Sequence, residues 1–102
     1  MKIVTFLLHD AVKQMVLDKI SELDGILGCF LYSVDAYFEG IGINPLETVN
    51  DLVAGFTPRV RIDILVEKDM VSDVMNHLLD CTSCAKGRGV WYVRDAQDWG
   101  VL

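Results

Sequence analysis

The stretch Arg59-Val60-Arg61-Ile62-Asp63-Ile64-Leu65-Val66-Glu67 alternates with a period of two. Val60, Ile62, Ile64 and Val66 fall on one side, and Arg61, Asp63, Leu65 and Glu67 on the other. Successive side chains of a strand point to opposite faces of its sheet, so this pattern predicts a strand over 59–67 with one buried face. A strand cannot satisfy its backbone alone, and the sequence has to supply others. Residues 2–9 are apolar and β-branched enough for a first strand. Residues 28–38, rich in aromatics, predict a second. Val90-Trp91-Tyr92-Val93-Arg94 predicts a fourth.

Helical spacing fills two of the intervals. Asp10 is the expected N-cap of a helix over 11–24, whose apolar stripe is Val12, Met15, Val16, Ile20 and Leu23. Asp24-Gly25 ends it, because glycine accepts the left-handed conformation at a helix C-terminus. Asp69 is expected to cap a second helix over about 70–81, with Met70, Val71, Val74, Met75, Leu78 and Leu79 toward the core. Lys86-Gly87-Arg88-Gly89 reads as a tight turn needing positive φ. The order β-α-β-β-α-β predicts a single α+β domain over 1–102. The expected fold is ferredoxin-like, a four-stranded antiparallel sheet with two helices on one face.

That arrangement leaves one face of the sheet bare. Strand one offers Ile3 and Leu7 to one side and Val4, Phe6 and Leu8 to the other, and strand two divides Phe30 and Val34 from Cys29 and Leu31. Both faces read as apolar, which predicts burial of the bare face in an oligomer. Trp91 and Tyr92 should face opposite sides, one in the core and one at an interface.

Hydrophobic residues are 52% of the 102, which excludes intrinsic disorder, yet no apolar run is long enough to span a bilayer. Membrane insertion is therefore not expected. A net charge of −6 with nine dispersed basic residues argues against nucleic-acid binding. Three cysteines, an odd number, make a poor disulfide framework and point to a reducing, cytoplasmic compartment.

The interval 38–58 is long for a connection between neighbouring strands and is expected to be a mobile, functional loop. Part of it has helical character. Asn44, Pro45 and Glu47 suit a helix start, Leu46, Val49, Leu52 and Val53 form a stripe, and Gly55 stops it. That stripe would dock on a partner or on its own domain.

His77, Cys81 and Cys84 are spaced i, i+4, i+7 and would share a face if the second helix ran on. One imidazole and two thiolates suit zinc or copper(I), with a further ligand such as Asp80. A catalytic dithiol is not expected, since the Cys-x-x-Cys lies at a helix C-terminus beside Asp80, where a thiolate is disfavoured. His9-Asp10 has no associated nucleophile, and no spacing pairs Asp35 with Glu39 as acid and base, so the chain is not read as an enzyme.

Arg59-Val60-Arg61-Ile62-Asp63-Ile64-Leu65-Val66, the following helix and Gly87-Arg88-Gly89-Val90-Trp91-Tyr92-Val93 resemble the second half of PII-like signalling proteins. This superfamily includes the nitrogen regulatory PII proteins and CutA-like proteins. Leu52-Val53-Ala54-Gly55-Phe56-Thr57-Pro58-Arg59-Val60-Arg61 and Asp98-Trp99-Gly100-Val101-Leu102 are similar to a branch often encoded beside heavy-metal efflux pumps. The resemblance implies a homotrimer that acts in signal transduction and senses a small ligand or metal. It implies modulation of a partner, such as a membrane transporter or efflux pump, through the 38–58 loop. Phe38, Glu39, Leu46, Val49, Leu52 and Arg59 would make that contact, and Lys86, Gly87, Arg88 and Gly89 would approach the ligand. Val90 stands where PII proteins carry a lysine, and no distal basic pair follows, so a nucleotide held in the PII manner is not expected. The alternative is a CutA-like metal-tolerance protein with a transition metal at His77, Cys81 and Cys84.

Overall fold

In the computed structural model, described for residues 1–38, 57–79 and 89–102, four strands form one antiparallel sheet in the order β2-β3-β1-β4. The strands are β1 (Lys2–His9), β2 (Ile26–Ala36), β3 (Thr57–Val66) and β4 (Gly89–Asp95). Helix α1 (Lys13–Ser21) joins β1 to β2, and α2 (Val71–Leu79) follows β3; each is preceded by a single 3-10 turn. The architecture is the α+β, ferredoxin-like one that the order of elements predicts.

β3 lies between β2 and β1, and its alternation decides what each face becomes. Val60, Ile62, Ile64 and Val66 stand opposite Leu8, Phe6, Val4 and Lys2 of β1. They join Val12, Val16 and Ile20 from the first helical segment and Val74, Met75 and Leu78 from α2 in one core. Ile62, Ile64, Val66, Val4, Val12 and Val74 are wholly shielded from water. Two predicted stripe residues lie outside this core. Met15 and Leu79 are 40% and 47% exposed, because each helix has only nine residues and turns these positions off the sheet.

The helix starts also differ from expectation. Asp10 and Asp69 do not cap; each sits inside a 3-10 turn, which moves the cap one or two residues earlier. His9 takes the capping role of the first turn, its Nδ1 accepting from the Ala11 N–H at 3.0 Å. The second turn has Glu67 at its cap, with no side-chain hydrogen bond there. Helix α1 ends at Ser21 with Glu22 at its C-cap, short of the expected stop at Asp24-Gly25; Gly25, with φ of 86°, takes the left-handed conformation in the turn into β2 instead. Gly89 is not a positive-φ turn residue. It opens β4 opposite Leu8, and a Cβ there would stand 2.4 Å from the Leu7 carbonyl oxygen, so close approach of two strands requires the glycine.

The face away from the helices is less apolar than expected. Thr5 separates Ile3 from Leu7 on β1, and the register sets Asp63 opposite both Thr5 and Phe30, and Arg61 opposite both Leu7 and Tyr32. Trp91 and Tyr92 do face opposite sides, yet Trp91, opposite Phe6, is 49% exposed and belongs to no core. It lies on an edge strand, where the helix layer gives less cover. The helix side of the β2 edge is similar, with Leu31, opposite Ile62, 46% exposed, while Phe30 and Tyr32 are about half exposed on the open face.

Ile64 is walled by β1 and β2 neighbours and by helices, so the cavity left by truncation has little room to collapse. Ile64→Ala is expected to lower unfolding free energy by about 2–5 kcal/mol, read by urea denaturation at neutral pH, with Leu79→Ala costing less than about 1 kcal/mol.

Candidate functional site on the open sheet face

The centre of the open face is an ionic cluster on Asp63. This residue is only 5% exposed because β1 and β2 flank it. Arg61 grips it with two donors, Nε to Oδ1 at 3.0 Å and Nη2 to Oδ2 at 2.8 Å. Thr5 Oγ1 donates to Oδ1 at 2.7 Å, and Arg94 Nη2 reaches Oδ2 at 3.5 Å from β4. Burial alone would raise the Asp63 pKa. The hydrogen bonds from Arg61 and Thr5, with the charges of Arg61 and Arg94, outweigh it and hold the carboxyl below its ordinary range. The same pairing raises the Arg61 pKa.

Aromatic rings frame the cluster. The Arg61 guanidinium lies 5.1 Å from the Tyr32 ring centre, and that of Arg94 5.9 Å from the Tyr92 ring. Phe30 and Tyr32 are each about half exposed beside them. At the end of the face where the chain leaves for residue 39, Arg59 is buried and stacks 5.1 Å from the Phe38 ring. A cleft of about 310 Å3 opens there, lined by Asp10, Ser33, Val34, Asp35, Pro58 and Arg59.

The other residues singled out from the sequence are dispersed or lie outside the described segments. Arg59 is a β3 residue and Phe38 its ring partner at the root of the long connection; Glu39, Leu46, Val49 and Leu52 lie outside the described residues. So do Lys86, Gly87, Arg88, Cys81 and Cys84. His77 projects toward α1, its Nε2 2.9 Å from Glu22 Oε2, close enough for an ion pair when protonated, though without hydrogen-bond geometry. Among the described residues no three His, Cys, Asp or Glu side chains cluster as a metal site. Cys29 is a free thiol on β2, and partial burial pushes its pKa up, which disfavours the reactive thiolate. The Asp63 cluster was not anticipated, although Arg61-x-Asp63 on one face of β3 was visible; the missing piece was Arg94, from the other side of β1.

The chain thus has the architecture of a ferredoxin-like α+β protein with a charged, aromatic-framed open sheet. A DUF3240 family protein from Shewanella baltica OS155 shares this fold, with a TM-score of 0.75 over 99% of this chain and 94% of that one, at 11% identity. No protein-family model matches the sequence. No curated protein matches it either. No helix among the described residues is long and apolar enough to cross a membrane.

The depressed Asp63 pKa fixes the sign of a pH effect. Its contribution to stability is present above the unfolded-state pKa of about 3.9 and is lost as pH falls through the lower folded value. Asp63→Asn should lower stability by about 1–3 kcal/mol at pH 7, since it leaves Arg61 without its counter-charge. It should also remove part of the wild-type loss of stability below about pH 4. Urea titrations at pH 7 and pH 3 measure both; an unchanged acid limb in the variant would contradict the assignment.

Proposed function

We propose that this chain is a non-enzymatic, PII-like regulatory subunit that works as a homotrimer and signals to a partner protein through the 38–58 connection. The observation that carries the reading is the length of that connection. β2 and β3 are antiparallel neighbours, which a two-residue turn could join, yet about 20 residues separate Ala36 from Thr57. The cleft lined by Asp10, Ser33, Asp35 and Arg59 lies at the root of this connection, beside the Arg59–Phe38 stack. A small polar ligand entering it would touch both strands from which the connection springs. Its differential affinity for two arrangements of that root would shift their populations, which is the physical content of a switch.

The half-exposed rings of Phe30, Tyr32 and Tyr92 support the trimer, because an assembly would shield them. The charged centre makes this surface selective: a neighbour has to meet the arginines as well as the rings. A transporter or efflux pump is the kind of partner that the family resemblance suggests, in a cytoplasmic setting.

Native mass spectrometry of protein purified from its own cells tests the reading. The expected species is three copies of the 11.4 kDa chain carrying a small-molecule adduct. A monomer at micromolar concentration would contradict it.

A further inference from the structure

The closing residues 96–102 carry an exposed apolar group with one acid in front of it: Asp98, then Trp99 at 59%, Val101 at 95% and Leu102 wholly in water. Among the described residues the segment is anchored where it begins. Ala96 N–H donates to the Met1 carbonyl at 3.1 Å, and Lys2 pairs with Asp95 just before it. The six residues beyond reach roughly 20 Å when extended.

The open sheet face is the complementary surface. Among its described strand residues the arginines Arg61 and Arg94 stand against one carboxylate, Asp63, on a chain whose net charge is −6. Asp63 is already gripped on both oxygens by Arg61, while Arg94 reaches it only at 3.5 Å and keeps a side chain 45% exposed. The face therefore holds surplus positive charge between half-exposed rings, and the tail presents a carboxylate next to an indole.

We propose that residues 96–102 of one copy dock on the open sheet face of a second copy of this chain, Asp98 against Arg94 and Trp99 among Phe30, Tyr32 and Tyr92. The proposal rests on the trimeric reading above and specifies its contact. Tail and face are different patches, so the contact is heterologous. Contacts of that kind close into a ring when the rotation between copies is three-fold, and the assembly's stoichiometry separates this from a reciprocal exchange of tails in a two-fold dimer. Bringing two identical faces together would oppose arginine to arginine; tail on face pairs opposite charges.

Sedimentation equilibrium of the full chain tests this with Asp98→Arg, Arg94→Asp and the double exchange, alongside Trp99→Ala. Asp98→Arg and Trp99→Ala should each weaken assembly about tenfold or more with circular dichroism unchanged. Arg94→Asp also sets a carboxylate beside Asp63, so its assembly is compared at matched folded fraction, and the double exchange should assemble more tightly than Arg94→Asp alone. In a Trp91→Phe background Trp99 is the sole tryptophan, and its emission should shift to the blue as concentration drives assembly. A trimer equally stable in all variants, with Trp99 emission unshifted, would overturn the tail contact and leave the trimeric reading standing. A wild-type monomer would overturn both.

Discussion

Strand β3 is flanked on both sides, by β2 and by β1, so each of its side chains is pressed between neighbours and its two faces meet different demands. On the helix side the demand is volume. Val60, Ile62, Ile64 and Val66 fill the space under two nine-residue helices, and branched aliphatic side chains suit a pleated, enclosed surface. On the other side the demand is electrostatic. Asp63 is enclosed almost as completely as the aliphatic residues, and an enclosed carboxylate is tolerable only when its charge is met. Thr5, Arg61 and Arg94 meet it from three strands, so the cluster ties β1, β3 and β4 together across the sheet.

This constraint changes what the bare face is for. A purely apolar face would associate with any similar surface. A face with a fixed ionic centre and a ring of half-exposed aromatics discriminates, because a partner that leaves Arg94 desolvated and unpaired is penalised. The association this favours is one in which a carboxylate and an apolar group arrive together, and the chain carries both near its last strand.

Much of the fold was legible in the sequence. The alternation of β3 and the order of elements follow from periodicity, and the structure reproduces them, whereas α1 ends at Ser21, before the expected stop at Gly25. The departures have local causes. Asp10 and Asp69 suit a cap by composition, but 3-10 turns at both helix starts moved the caps to His9 and Glu67. Gly89 looked like a turn residue because it ends a basic, glycine-containing run, whereas the constraint on it is the Leu7 carbonyl of a neighbouring strand. The open-face cluster was half legible. Arg61 and Asp63 share a face by period two, but Arg94 and Thr5 join them only once the strand order places β1 between β3 and β4. Contacts of that separation are set by topology, which a period along the chain does not encode.

The central claim is that the charged open face is covered by other copies of the same chain. Hydroxyl-radical footprinting of the wild-type protein at micromolar concentration reads this side chain by side chain. The account predicts that Phe30, Tyr32, Tyr92 and Trp99 are protected while Trp91 and Leu31, on the helix side of the two edge strands, are labelled freely. Labelling of Tyr32 and Tyr92 as fast as their exposure in a single chain allows, with Trp99 equally reactive, would contradict it.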